Sequence, residues 1–190
     1  EIGNNVKKCK KRFNDISCFP ESQEQLFLND LYYPIVLIPN KILKNIHDKT
    51  TNNLDYLTSN SKITRSLQNI KRGKTELMFL NSLTKSFGNQ IKVDMSFSGL
   101  ENFYKPDFTF ICNRTKLHID IEIDEPYSFE DKKPIHYIDS KDDQRNKFFL
   151  NENWCVIRFS ENQIIKESEK CILLIENVIK CITDTNINFE

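Results

Sequence analysis

The sequence predicts a mixed α/β protein of the α+β type, in which a helix is followed by three strands, a helix, a strand and a final helix. Two patterns carry this prediction. Residues 117–124 alternate strictly between apolar and polar side chains, which is typical of a half-buried strand. Residues 160–179 begin with the cap signature Ser160 and Gln163 and continue with apolar residues at helical spacing. Since 38% of the 190 residues are hydrophobic, the chain can bury one core.

The first predicted helix begins at Thr75, a residue type suited to the N-cap, and ends before Gly88. Its apolar stripe repeats every three or four residues: Leu77, Leu80, Leu83 and Phe87. Glu76 lies in register with this stripe, so we expect it to flank the surface that packs on the sheet. Favourable charge at a helix N-terminus is the alternative role of Glu76.

The remaining elements follow in chain order. Three successive antiparallel strands are expected at residues 91–97, 107–112 and 117–124. Ser140 with Asp143 predicts a capped helix that runs to about residue 151, and residues 154–159 then indicate a buried strand.

Before these elements the chain is less strongly patterned. We therefore interpret residues 1–70 as an N-terminal extension or small accessory region, and residues 71–190 as the main domain.

Composition excludes several classes of protein. The 27 basic and 27 acidic residues cancel, so no overall field favours nucleic acid or a membrane. Only four glycines occur, without a GxGxxG or GxxxxGK string, which argues against a nucleotide-binding loop. The six cysteines form no CxxC pair, which argues against a zinc site and favours reduced thiols. With no apolar run long enough to cross a membrane and no signal core, we expect a cytoplasmic protein.

Acidic side chains share one face of the strand at residues 117–124. Period-two geometry places four polar side chains there: His118, Asp120, Glu122 and Asp124. If residues 113–116 form a hairpin loop, Asp107 lies opposite Glu122, with Cβ atoms roughly 4.5–5.5 Å apart. Asp107, Glu122 and Asp124 would then converge, and their hard oxygen ligands favour Mg²⁺ or Mn²⁺. An ordinary solvated acidic face is the alternative interpretation.

These acids resemble the motif of a known family. Pro106-Asp107, followed by Glu122-Ile-Asp124 on an antiparallel partner strand, resembles the PD-(D/E)xK nuclease superfamily of restriction and repair endonucleases. The resemblance implies a restriction endonuclease-like αβββαβ core with a mixed central sheet flanked by helices.

Three downstream segments resemble the branch of that superfamily near very short patch repair endonucleases. They read IEIDEPY at residues 121–127, DDQR at residues 142–145 and WCVIRF at residues 154–159. The resemblance covers roughly residues 72–182 and does not reach the N-terminal region.

The resemblance implies a Mg²⁺- or Mn²⁺-dependent endonuclease that hydrolyses phosphodiester bonds, with DNA as the expected substrate, in restriction, repair or defence. It implies that Asp107 and Glu122 are metal ligands. Asp124 stands where the family motif usually has lysine, so it is interpreted as a further ligand or as the group that orients the attacking water. Glu76 is a fourth candidate catalytic acid.

Two alternatives stay open beside this interpretation. Because the motif lysine is absent, the chain could be a catalytically inactive nuclease fold that serves as a nucleic-acid or protein interaction module. RNA is the alternative substrate, since an acidic metal site does not select the sugar.

Further residues are candidates for contact with the substrate. His118 and His136 could relay protons or touch phosphate, and Arg145 could contact the substrate or the acids. An ion pair between Arg145 and Asp142, one helical turn earlier, is the structural alternative. A basic cluster before the first helix could neutralise DNA phosphates: Lys71, Arg72 and Lys74. A partner subunit or a homodimer is a further candidate source of affinity.

Overall fold

A five-stranded mixed sheet flanked by helices forms the centre of this mixed α/β fold. The computed structural model describes residues 34–48, 57, 59, 63–66, 71–98, 103–125 and 142–183. In these ranges no helix is long and apolar enough to cross a membrane.

The strands lie in two sheets. Their bounds are β1 Ile35–Leu37, β2 Ile63–Ser66, β3 Ile91–Lys92, β4 Met95–Ser98, β5 Phe103–Tyr104, β6 Phe108–Ile111, β7 His118–Asp124 and β8 Cys155–Ser160. The main sheet has the order β1-β8-β7-β6-β3, and the smaller sheet has the order β2-β4-β5. All pairs are antiparallel except β7 and β8, which are parallel.

Four α-helices accompany the sheets in the part of the chain that the structure describes. Their bounds are α1 Asn40–Asp48, α2 Lys74–Phe87, α3 Asp142–Asn151 and α4 Glu161–Thr183. Helices α2 and α4 cover the face of the main sheet formed by the apolar side of β7, where Phe79 makes edge contacts with Phe108 and Phe159. Helix α3 lies on the opposite face, where Phe149 packs with Trp154 and Val156. The polar side of β7 is therefore covered by α3.

The predicted hairpin register is confirmed. Phe108 lies opposite Ile121, and the Cys112 N–H donates to the carbonyl of Leu117 at 2.9 Å. The same count places Asp107 opposite Glu122. The alternation of residues 117–124 therefore fixes both the strand and its pairing, since a slip of one residue would turn the apolar face outward.

Helix α2 forms as predicted, although its N-cap and its buried stripe differ. The N-cap is Gly73, and Thr75 instead donates its hydroxyl to Glu161 Oε1 at 2.8 Å. The buried residues are Phe79 and Leu83, whereas Leu77 is 51% exposed. The predicted stripe was wrong at Leu77 because Phe79 supplies the larger apolar group one turn before Leu83. Gly88 ends the helix with a φ of +56°, as expected.

The single strand predicted at residues 91–97 is wrong. The chain forms β3, crosses Asp94 with a φ of +59°, and then forms β4 in the other sheet. The Asp94 carboxylate accepts a hydrogen bond from Arg72. A short polar residue tolerates the left-handed region, so the alternating pattern does not reveal this break.

The last two helices and the strand between them follow the prediction. Ser160 and Gln163 form a capping box, with both hydrogen bonds at 3.3 Å, and β8 is buried along its whole length. Ile165, which was included in the apolar stripe of α4, is exposed. The expected cap Ser140 lies outside the described residues.

Part of the N-terminal region packs with the main sheet. Strand β1 pairs with β8 at the sheet edge, and Ile42 and Leu57 belong to the same buried cluster as the β7 isoleucines. These described residues before position 71 therefore contribute to the core that supports the acidic strand.

Candidate functional site

Asp107 and Glu122 lie at the open end of the β6–β7 hairpin, away from its turn, and each carboxylate accepts a backbone hydrogen bond from the opposite segment. The backbone N–H of Asp107 donates to Glu122 Oε1 at 3.0 Å. The backbone N–H of Ile123 donates to Asp107 Oδ2 at 2.8 Å. These reciprocal bonds fix both carboxylates at one point of the sheet, as the hairpin register predicts.

Two more carboxylates approach this pair. Glu76 is in the first turn of α2, and Glu125 follows β7 directly. A Cβ atom added to Gly73 would lie 3.5 Å from Glu125 Oε1 and 3.8 Å from Glu76 Oε1, so both acids border this glycine. Glu76 also lies within electrostatic range of Glu122. We call these four residues the acidic cluster: Glu76, Asp107, Glu122 and Glu125.

Burial and mutual repulsion raise the pKa of two acids in the acidic cluster. Burial, followed by repulsion from Glu122, raises the pKa of Asp107 well above its usual value, although the Ile123 N–H opposes this effect. Burial also raises the pKa of Glu76; its hydrogen bond with the Gly73 backbone opposes the rise, and Glu125 adds repulsion. Both effects disfavour the ionised carboxylates, and a cation bound beside them would lower these pKa values.

Arg145 is the positive group closest to this pair. Its two terminal nitrogens each donate to one oxygen of Glu122, and Nη2 also lies 3.1 Å from Asp120 Oδ1 and 3.3 Å from Asp120 Oδ2. Burial alone would raise the pKa of Glu122, but the charge and hydrogen bonds of Arg145 outweigh it and lower that pKa. Arg145 thus contacts the acids, as one of the sequence interpretations proposed.

Asp124 is engaged separately from the acidic cluster. Arg158 Nε donates to Asp124 Oδ2 at 2.9 Å, and Arg158 Nη2 donates to Asp124 Oδ1. Arg158 Nη2 also lies 3.1 Å from Asp142 Oδ1, so Asp142 pairs with Arg158 and not with Arg145. The ion pair between residues 142 and 145 that helical spacing favoured is therefore not the arrangement observed, because β8 supplies a buried guanidinium.

Three contributors were absent from the predicted site. Arg158 had a signal in the sequence, since a charged residue inside the otherwise apolar run at residues 154–159 requires a buried partner. Asp120 was placed on the acidic face but was not assigned a role. Glu125 follows the strand and gives no periodic signal of its own.

His118 does not join the acidic cluster. His118 begins β7, four residues from Glu122, which is about 13 Å along a strand. Its Nδ1 pairs with the Lys116 carbonyl at 2.7 Å, and its ring lies against Trp154 at 4.9 Å between centroids. The position of His118 suits support of the hairpin turn, and His136 lies outside the described residues.

The basic cluster divides into two kinds of residue. Lys71 and Lys74 are exposed beside the first turn of α2. Arg72 forms ion pairs within the protein, because it pairs with Asp94 and its Nε lies 3.9 Å from Glu76 Oε2. The two lysines are therefore the members of this cluster that are open to an external phosphate.

The acids fit a divalent cation in chemical type and charge, but Arg145 already bonds to one of them. Asp107, Glu122 and Glu76 supply hard oxygen ligands, and burial together with repulsion from neighbouring acids raises the pKa values of Asp107 and Glu76. Both Glu122 oxygens are bonded to Arg145, and within the described ranges no three ligand-type side chains are gathered closely enough to hold a metal ion. Asp124 does not fit as a ligand, since both of its oxygens bond to Arg158.

Comparison with known proteins gives no match: no family model, no curated protein and no solved structure matches this chain.

Proposed function

We propose that the protein is a metal-dependent endonuclease that hydrolyses phosphodiester bonds, with DNA as its substrate and Mg²⁺ or Mn²⁺ as its cofactor. The observation that carries this proposal is the reciprocal bonding of Asp107 and Glu122 at the hairpin end. The raised pKa of Asp107 supports it, because a cation at this point would relieve the repulsion between the two acids.

The topology around the pair is consistent with a restriction endonuclease-like core, which is part of the proposal. A helix precedes the antiparallel strands β3, β6 and β7, and α3 then leads to β8, which is parallel to β7. The small sheet formed by β2, β4 and β5 is an addition to the αβββαβ order.

Asp107 and Glu122 would hold the cation, and Glu76 would complete the acidic surface next to it. When bound, a divalent cation supplies an activated water and neutralises charge that develops on the phosphate. The Glu76 carboxylate is 23% exposed and has a raised pKa, so it is suited to accept a proton from water at the site. Glu76 would thereby substitute for the absent motif lysine.

Substrate would approach along the start of α2. Lys71 and Lys74 are exposed beside Gly73, the residue that Glu76 and Glu125 border. Their ammonium groups would neutralise backbone phosphates next to the acidic cluster, which binds DNA without reading its sequence.

The test is cleavage of supercoiled plasmid and of matched DNA and RNA oligonucleotides with Mg²⁺, Mn²⁺ or EDTA. We expect DNA cleavage that requires the metal and falls by about 100-fold or more in Asp107→Asn and Glu122→Gln, since each removes a carboxylate that would hold the cation, and the cation would stabilise the transition state. Glu169→Gln, an exposed acid on α4, is the matched control and should retain activity. Wild-type protein that cleaves neither DNA nor RNA would refute the proposal.

One observation favours a second candidate, a catalytically inactive fold that binds nucleic acid or protein. Arg145 and Arg158 already bond to both oxygens of Glu122 and of Asp124, so these acids are neutralised within the protein. This candidate predicts DNA binding, measured by fluorescence anisotropy, that Glu122→Gln leaves unchanged, together with no metal-dependent cleavage.

A further inference from the structure

Arg145 bonds to two acids that occupy different positions relative to the acidic cluster. Glu122 belongs to the cluster, whereas Asp120 lies two residues earlier on the same face of β7 and is 0% exposed. The guanidinium bridges both, because Nη2 lies within hydrogen-bond distance of each carboxylate. One arginine therefore neutralises a site acid and a fully buried acid at once.

The guanidinium is incompletely satisfied in this position. Its Nε is buried, and no group among the described residues accepts a hydrogen bond from it. The Arg145 guanidinium carbon lies 5.6 Å from the centre of the Phe149 ring, so an aromatic face supports the charge near this place. A side-on pairing with Asp120, through Nε and one terminal nitrogen, would satisfy the unpaired N–H and release Glu122.

We infer that Arg145 is a positioning residue with two partners: it holds Glu122 while no cation is bound, and Asp120 retains it when Glu122 binds a cation. The inference rests on the proposed function, since it requires a cation at Glu122. It assigns Asp120 a role that the sequence motif does not give it. Arg145 is thus an internal cation that competes with the metal.

The competition follows from charge and from the number of oxygens. A guanidinium and a divalent cation repel each other, and Glu122 has only two oxygens, both of which Arg145 engages. Asp120 is fully buried and would be left uncompensated if Arg145 moved into solvent. The favourable outcome is for Arg145 to leave Glu122 and to remain with Asp120.

The test is Mn²⁺ binding, followed by the electron paramagnetic resonance signal of free Mn²⁺, without substrate. Arg145→Gln removes the competitor and should bind Mn²⁺ roughly tenfold more tightly than wild type. Asp120→Asn removes the second partner, keeps Arg145 on Glu122 and should bind Mn²⁺ roughly tenfold more weakly. The double variant should match Arg145→Gln, because Asp120 acts through Arg145.

Two results would overturn the inference while leaving the cation site intact. The first is Mn²⁺ binding in Arg145→Gln that is equal to or weaker than that of wild type. The second is a loss of affinity from Asp120→Asn that is the same with and without Arg145, because Asp120 would then act only through its charge. If none of the proteins binds Mn²⁺, the inference and the proposed metal site both fail.

Arg145→Lys keeps the test decisive if Arg145→Gln does not fold. Lysine preserves the charge but cannot bond to both Glu122 oxygens through a planar fork. It should therefore bind Mn²⁺ more tightly than wild type, and unchanged or weaker binding would contradict the inference. Glu169→Gln serves as the control for removal of a negative charge elsewhere.

Discussion

Two arginine–carboxylate pairs lie on the same face of β7, and they differ in how completely they are enclosed. In the first, Arg158 is 2% exposed and Asp124 is 1% exposed, and Asn146 and Asp142 also contact the guanidinium. In the second, Arg145 is 14% exposed, and Glu122 faces the strand end where Asp107 lies. The same chemistry is thus used once inside the core and once at its edge.

The two pairs also differ in how completely their guanidinium groups are bonded. The Arg158 guanidinium bonds to Asp124 through two nitrogens and to Asn146 through the third, so each of its nitrogens has a partner. Arg145 leaves its Nε unbonded and shares its charge between two acids. A charge pair that water partly reaches can exchange partners at lower cost than an enclosed pair.

The largest expected effect is the loss of the enclosed arginine. Arg158→Met should lower the free energy of unfolding by about 3–5 kcal/mol, because it leaves the Asp124 carboxylate buried without its partner. Urea denaturation followed by circular dichroism measures this loss.

The double variant Asp124→Leu with Arg158→Met is the control for this comparison. It should recover much of the stability, since a buried pair can often be replaced by apolar side chains. A loss below about 1 kcal/mol in Arg158→Met would mean that the enclosed pair does not differ from a surface pair.

The loss of Arg145 should lower the free energy of unfolding by a smaller amount. Arg145→Gln should lower the free energy of unfolding by about 1.5–3 kcal/mol at neutral pH, because Gln cannot supply the charged hydrogen bonds to Glu122. Arg145 lowers the pKa of Glu122, so its stabilisation is present above the unfolded pKa of about 4.3 and is lost as the pH falls through the folded value. The difference between variant and wild type should therefore shrink in acid, which denaturation at several pH values measures.

The smallest expected effect is a gain of stability at the site. The pKa of Asp107 is raised, so the stability linked to it is present below the unfolded pKa of about 3.9 and is lost as the pH rises through the folded value. Asp107→Asn should therefore stabilise the protein by about 0.5–2 kcal/mol at neutral pH in EDTA. The gain in stability should grow as the pH rises from the unfolded pKa of Asp107 through its folded pKa. A variant that is less stable than wild type at neutral pH would contradict the repulsion between Asp107 and Glu122.

The acidic strand was predictable because its information is local. Strict alternation over residues 117–124 gives the strand and its apolar face, and the short loop at residues 113–116 gives the pairing of Asp107 with Glu122. The alternation does not show that the polar face is buried as well. The capping box at Ser160 was also readable, since its two hydrogen bonds join residues three positions apart.

Other features depended on contacts between distant residues. The break at Asp94 sends β4 to another sheet, and a pattern of alternating residues does not show this change. Thr75 looked like a cap, but the hydroxyl finds an acceptor 86 positions away on α4. Local propensity correctly identifies threonine as a residue type suited to an N-cap. It predicts the wrong position when a distant partner competes for the hydroxyl.

The sequence by itself determined strands β6, β7 and β8, the helices from Lys74 onward and the opposition of Asp107 and Glu122, because these follow from periodicities of two and 3.6 residues along one segment. Only the tertiary structure decided which guanidinium neutralises which acid. Helical spacing favoured Asp142 as the partner of Arg145. The parallel alignment of β7 and β8 instead places Arg158 opposite Glu122, and its side chain reaches Asp124, the next acid on that face, while Arg145 pairs with Glu122. Coulombic pairing depends on distance in space, which no local pattern encodes.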